Sequence, residues 1–292
     1  MNDLNDVGTV TVSMPEPKNR TQHKIVVGDS TNMEGVESNS VHLVVTSPPY
    51  PMIEMWDKMF EKAGAKSYDQ MHDYLTKTWK ECYRVLVDGG IICINIGDAT
   101  RRIDHSFKLY PNHARIIEKC EEIGFMTLPY ILWKKPTNKP NAFLGSGFLP
   151  PNAYVTLDCE YILIFRKGAL RKFEPKSELR YASKFTKKER DSWFSQLWEI
   201  RGTNQNHDEL VRRTAAYPEE IVSRLIKMFS CLEDTVIDPF LGTGTTTKIA
   251  KELSRNSIGY EIEKDLLPII KEKIGYSQQT LGEKAQFEIV EI

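Results

Sequence analysis

The stretch TVIDPFLGTGTTTKIAKEL, residues 235–253, constrains the fold more than any other part of the chain. A short apolar run breaks at Asp-Pro, turns through Gly242 and Gly244, and continues as a helix-forming segment. Glycines there permit positive φ and the close approach of a ligand, and the helix that follows offers unpaired amides at its N-terminus. A strand, a glycine loop and a helix start make a binding loop, and they place the chain in the α/β class.

The rest of the sequence agrees with that class. KIVVGDS, VHLVVTSPP, GGIICINIGD, MTLPYILWKK, DCEYILIFRKG and NSIGYEIE read as strands, and helix-like segments cover 68–87, 112–123, 246–253 and 264–274. In YPEEIVSRLIKMFS, Ile221, Leu225, Ile226 and Phe229 share one face and Pro218 suits the first turn. This alternation predicts a mostly parallel sheet with helices on both faces. Residues 1–22 read as a flexible tail. Residues 169–205, rich in Lys, Arg and aromatics without a clean period, read as an insert between a first half, 23–168, and a second, 206–292.

The 292 residues carry 39 Lys and Arg against 40 Asp and Glu, so a polyanionic partner must be met by a local basic patch. The five cysteines show neither metal-ligand spacing nor an even count, which predicts reduced thiols in a cytoplasmic protein. No apolar run reaches membrane-span length, the N-terminus is polar and acidic, and the six histidines show no metal spacing. No metal and no membrane partner are expected.

Three cofactor classes use glycine loops of this kind. A Walker A loop needs Gly-Lys-Ser/Thr, whereas Lys248 follows three threonines. A dinucleotide loop needs a third glycine where Thr247 stands, which disfavours NAD without removing it. A nucleoside cofactor without a pyrophosphate needs an acid about twenty positions on to hold its ribose, and Glu261 closes the strand SIGYEIE at that place. Loop, strand and acid together favour S-adenosylmethionine.

A second motif stands at residues 46–50, where VHLVV gives way to TSPPY. With TSPPY and DPFLGTGTT (238–246) both present, the chain from Lys24 to Ile274 resembles the amino-methyltransferases, which move a methyl group from S-adenosylmethionine to an exocyclic nitrogen of a DNA base. The resemblance implies a Rossmann-like class I methyltransferase fold with a seven-stranded sheet. Because TSPPY precedes the glycine loop, it implies the circularly permuted β class, with the insert as target-recognition region. It also implies cofactor contacts from Asp29, from Thr214 and Ala216 in RTAAYPEEI, from Asp238, Pro239, Phe240, Gly242, Gly244, Thr245 and Thr246, and from Glu261.

The chemistry of TSPPY follows from the substrate. An exocyclic amine is a poor nucleophile because its lone pair is delocalised into the ring, and hydrogen-bond acceptors on its N–H groups localise that pair. The Ser47 side chain and the Pro48 carbonyl are the expected acceptors, Pro48 and Pro49 hold the backbone rigid, and Tyr50 offers a face for an extruded base. Asp98, ending the next strand, is either the acceptor of the released proton or a cap of the following turn. Serine at the first tetrapeptide position goes with cytosine N4 in the family, and Asp or Asn with adenine N6. Either side chain accepts from an amine, so adenine, and further off an RNA substrate, remain alternatives.

Between Arg166 and Arg190 a basic run interleaves with aromatics, and Arg171, Lys172, Arg180, Lys184, Lys187 and Lys188 are expected to contact phosphates. A second polar loop, 134–152, could also reach DNA. The partners implied are double-stranded DNA and a cognate restriction endonuclease of the same system. Monomer and homodimer are both open.

Overall fold

The computed structural model describes residues 20–103, 106–135, 150–151, 154–202, 217–276 and 285–292. Thr214, Ala216 and most of the loop 134–152 lie outside them.

The β-branched run of residues 41–46 forms the central strand β2 (Val41–Thr46). Val44 packs on one face with Leu75, Trp79, Ile116 and Cys120, while Leu43 and Val45 pack on the other with Ile221, Leu225 and Ile249. Burial on both faces is why this strand reads as continuously apolar rather than alternating.

Around β2 lie β1 (Thr21–Val27), β3 (Leu86–Ile96), β6 (Phe125–Lys134), β7 (Cys159–Lys167), β8 (Leu197–Glu199), β9 (Thr235–Asp238), β10 (Asn256–Glu261) and β11 (Ala285–Glu291). Their order is β11-β1-β10-β9-β2-β3-β7-β6-β8, and β4 (Ala99–Ile103) with β5 (Ser106–Tyr110) forms a separate antiparallel hairpin. The sheet is mostly parallel, as expected. It has nine strands rather than seven, because β11 and β8 add one strand to each edge.

Helices cover both faces: α1 (Asp57–Lys62), α2 (Tyr68–Val85) and α3 (Asn112–Ile123) pack on one, and α6 (Glu219–Phe229) and α7 (Thr245–Glu252) on the other. A smaller cluster joins α8 (Leu267–Ile274) to Ile25 and Leu241. The α2 start is fixed by a capping box between Ser67 and Gln70, and α3 ends at Gly124, whose φ of 112° suits only glycine. Among the described residues no helix is long and apolar enough to cross a membrane.

One strand direction organises the rest. Strands β11, β1, β10, β9, β2 and β3 run parallel, so their carboxyl ends share one end of the sheet. There β1 leads into Asp29, β2 into Ser47, β3 into Asp98, β9 into Pro239, and β10 ends in Glu261. Strand β7 is antiparallel to β3, with Ile96 opposite Tyr161 and Ile91 opposite Arg166. It therefore starts at this end with Glu160 and finishes at the far end with Lys167.

The chain after Lys167 begins at the amino end of the sheet and climbs back through α4 (Glu178–Ala182) and α5 (Lys187–Trp193) to β8. Strand β8 pairs in parallel with β6, and Trp198 is buried in the main core. The expected insert is thus a return connection that ends as a strand of the main sheet.

Candidate active site

Prolines 48 and 49 have no N–H to donate, so the β2 ladder stops at Thr46 and the next residues turn across the carboxyl end of the sheet. Asn112, at the start of α3, fixes the turn: its Nδ2 donates to the carbonyls of Pro51 and Gly97, both at 3.0 Å. Its Oδ1 is 3.1 Å from His72 Nε2 and accepts from it, and burial pushes the His72 imidazole down to about 4, so the ring is neutral.

Two motifs almost two hundred residues apart meet at one carboxylate. Thr46 Oγ1 donates to Asp238 Oδ1 at 2.7 Å, the Phe240 amide donates to the same oxygen at 3.0 Å, and Thr246 Oγ1 donates to Oδ2 at 2.6 Å. With its proton committed to Asp238, Thr246 accepts from the Tyr217 hydroxyl at 2.9 Å. Asp238 is buried, and desolvation raises it to about 6 against the pull of these donors.

Beside this joint opens a cleft of about 470 Å³, lined in part by Asp29, Ser47, Pro49, Tyr74, Pro239, Phe240, Gly242, Tyr260, Glu261 and Glu263. That volume suits a ligand of nucleoside size. Asp29 accepts from the Thr31 amide at 2.8 Å and from the Tyr74 hydroxyl at 3.2 Å. Glu261, 9% exposed, accepts from the Gly242 amide at 2.8 Å and the Glu263 amide at 2.9 Å. One donor per carboxylate oxygen leaves lone pairs free for ribose hydroxyls. Asp29, Glu54, Glu261 and Glu263 line this cleft together with Lys58 and Lys62, an acidic balance that fits a cationic nucleoside and opposes a pyrophosphate.

Burial raises the Glu261 carboxyl to about 7. A carboxyl raised in the folded state stabilises the empty protein below the ordinary carboxylate range, and that contribution is lost as pH rises through about 7. If cofactor hydroxyls donate to Glu261 they favour its ionised form, so cofactor binding should strengthen over the same interval, by roughly tenfold from about pH 6 to about pH 8. Titration calorimetry across that range checks it; Glu261→Gln should bind weakly at every pH with a flat profile.

Asp29, Ser47, Pro49, Pro239, Phe240, Gly242 and Glu261 thus come together around one cleft. Gly244, Thr245 and Thr246, expected to touch the cofactor, do not line it. Gly244 has φ of 90° and starts α7, where an added Cβ would lie 3.3 Å from Ile274. Thr245 accepts from Lys273 Nζ at 2.6 Å, and Thr246 is turned onto Asp238. These residues hold the loop from behind. Lys273, which also reaches Thr243 at 2.9 Å, was not visible as a site residue because only the fold brings α8 under the loop.

Tyr50 is half-buried and absent from the cleft lining. Its hydroxyl donates to Glu160 Oε2 at 2.9 Å and accepts from Asn95 Nδ2 at 2.7 Å, and an added Cβ on Gly97 would lie 3.0 Å from its ring. Burial and the Glu160 charge raise the Tyr50 hydroxyl well above its usual range, so it stays a donor. Asn95 Nδ2 also donates to Glu160 Oε2 at 2.8 Å, and Lys135 Nζ pairs with Glu160 Oε1. Asn95 is 2% exposed and its Oδ1 has no partner among the described residues, which costs about 1–3 kcal/mol. A flipped amide would set that oxygen against the Glu160 carboxylate, so the orientation is fixed.

Asp98 is committed elsewhere. Both its oxygens lie 2.8 Å from His113 Nδ1, and Oδ1 accepts from the His113 amide at 3.2 Å, in the first turn of α3. The bonds run to a residue 15 positions further on rather than to the turn that follows the strand.

The direction of β7 sets where the six basic residues expected to contact DNA lie. The segment carrying Arg171, Lys172, Arg180 and Lys184 lies at the amino end of the sheet, and Lys187 and Lys188 open α5 on the way back. The six residues of β2 alone set the two ends about 20 Å apart. Arg171 binds Asp234 at 2.5 and 2.8 Å and shares the Phe173 ring with Arg180. Arg171→Ala should therefore cost about 1–3 kcal/mol of folding stability, read as a lower urea midpoint, and leave duplex DNA affinity unchanged. Lost DNA affinity at unchanged stability would restore the phosphate role.

Known proteins resemble this chain in sequence and fold. Residues 41–272 match the model of the N6/N4 DNA methylase family. The chain is 63% identical over 285 residues to Type II methyltransferase M.MjaI of Methanocaldococcus jannaschii, covering 90% of this chain and 94% of that one. It is 47% identical over 273 residues to M.MthZI of Methanothermobacter thermautotrophicus, covering 87% and 77%. TTHA0409 of Thermus thermophilus, solved with S-adenosyl-L-methionine, superposes with a TM-score of 0.72 at 30% identity, covering 92% of this chain and 99% of that one. With TSPPY and the glycine loop joined by the bond from Thr46 to Asp238 beside a nucleoside-sized cleft, the chain belongs to the N6/N4 DNA methylase family.

Proposed function

We propose that the protein methylates the exocyclic N4 of cytosine in duplex DNA, with S-adenosylmethionine as methyl donor, as the modification enzyme of a Type II restriction system. When bound, the cofactor supplies a methyl group on a sulfonium with a good leaving group. The order of TSPPY and DPFLGTGTT supports membership of the circularly permuted class.

The observation that carries the base assignment is Ser47, which lines the cleft at the tip of β2 as the first residue of the tetrapeptide, where the family places serine for cytosine. Ser47 Oγ is 3.3 Å from the Tyr50 hydroxyl, whose one proton is already on Glu160. The serine is therefore the donor in that contact, and its lone pairs face the amine as acceptors. A second amine N–H is accepted by the Pro48 carbonyl. A base paired inside a duplex cannot reach this strand tip, so the target is extruded from the stack.

Incubation with duplex DNA and cofactor labelled in the methyl group, followed by digestion to nucleosides and chromatography, tests the assignment. The label is expected in N4-methylcytosine; label in N6-methyladenine overturns the base and keeps the class.

A further inference from the structure

Glu160 belongs to neither TSPPY nor DPFLGTGTT, yet it ends a continuous hydrogen-bond chain that starts at Ser47. Ser47 contacts Tyr50 at 3.3 Å, Tyr50 donates to Glu160 at 2.9 Å, and Lys135 closes the far side of the carboxylate. Asn95 uses its amide nitrogen on Tyr50 and Glu160 while its own oxygen is left without a donor among the described residues. A buried acceptor sacrificed in this way marks a site where the amide hydrogens are needed more than a balanced set of bonds.

We propose that Glu160 is the positioning residue that makes Ser47 an acceptor and takes up, through Tyr50 and Ser47, the proton released by the methylated amine. This rests on methyl transfer to a base amine, and it holds for cytosine N4 and adenine N6 alike. The amine lone pair forms the new N–C bond as the methyl C–S bond breaks, and that electron pair stays on sulfur. The nitrogen, now cationic, gives a proton to Ser47 Oγ as the serine proton moves to Tyr50 and the tyrosine proton to Glu160 Oε2. The products are a neutral methylated amine and a neutral Glu160, which returns its proton to water at the exposed edge beside Lys135, whose side chain is 43% exposed.

Among the described residues, few groups face Glu160. Lys135 is its cationic partner, Tyr50 and Asn95 its other hydrogen-bond partners, and the Asp98–His113 pair stacks on the neighbouring Tyr161 with ring centroids 3.9 Å apart. Asp98 is occupied by His113, which leaves Glu160 as the carboxylate in line with Ser47.

Glu160→Gln tests this in the full chain, with single-turnover transfer from methyl-labelled cofactor to unmethylated genomic duplex DNA measured across pH. The variant is expected to lose about a hundredfold in rate with cofactor affinity and melting temperature unchanged, and to lose the acid limb of the parent profile. Glu160→Asp, which keeps a carboxylate, should recover part of the rate. Lys135→Met, which leaves the chain of hydroxyls intact, should move the acid limb to higher pH and serves if the first variant misfolds. A Glu160→Gln rate within about threefold of the parent, or an unchanged acid limb in Lys135→Met, overturns the proposal while leaving the methyltransferase reading intact; a parent that transfers no label to DNA overturns both.

Discussion

Ser47→Ala is expected to slow single-turnover methyl transfer by about a hundred- to a thousandfold, the range found when one preorganised hydrogen-bond partner of a reacting group is removed. Cofactor affinity should not change, because the cofactor cleft is held by Asp29, the glycine loop and Glu261, none of which bonds to Ser47. Stability should change little as well: Ser47 makes a 3.3 Å contact with Tyr50 and a 3.5 Å contact with Asn95, while Thr46 beside it carries the strong bond to Asp238. Rapid-quench transfer and calorimetric cofactor titration, run on one preparation, separate the two effects. Weakened cofactor binding at an intact transfer rate would remove Ser47 from the chemistry and make it part of the cofactor wall.

Gly242→Val should abolish measurable cofactor binding. Gly242 has φ of 55°, its amide donates to Glu261, and it lines the cleft. An L side chain costs about 1–2 kcal/mol in that conformation, and a β-branched one more. If the backbone relaxes to escape the strain, the amide leaves Glu261 and the ribose anchor goes with it; if it does not, the side chain fills the cofactor's place. Both routes end in lost binding, so the fold, followed by circular dichroism, should survive while calorimetry shows no heat of binding. Affinity within about tenfold of the parent would mean that the cofactor does not pass over this residue.

The sequence made legible whatever was local. The span of α3 could be read off the periodicity of 112–123, and the strands around the core off their β-branched runs. The meeting of TSPPY with the glycine loop followed from two motifs that each end a strand. What stayed hidden was the direction of β7. DCEYILIFRK has the same composition whichever way it runs, because a strand buried in mid-sheet shows no polarity in its residues. A parallel β7 would place Glu160 far from TSPPY and the basic run beside it. Antiparallel, it places Glu160 against Tyr50 and leaves Arg171 on Asp234 at the opposite end of the sheet. The inward bonds of Thr245 and Thr246 were hidden for a different reason, since a loop threonine can face a ligand or the core and its spacing in sequence is the same.

The bond from Thr46 to Asp238 joins residues 192 positions apart, and β9 pairs with β2 over the same span. During synthesis at about 5–20 residues per second, the ribosome needs on the order of 10–40 s to deliver the second partner after the first has emerged. For that interval β2, a run of valine and leucine meant for the middle of a sheet, is an open edge able to pair with any neighbouring chain. Soluble yield in a cell is therefore set by how fast β9 arrives, and slower translation or a stop placed before Thr235 should send the protein into aggregates before any catalytic residue is lost.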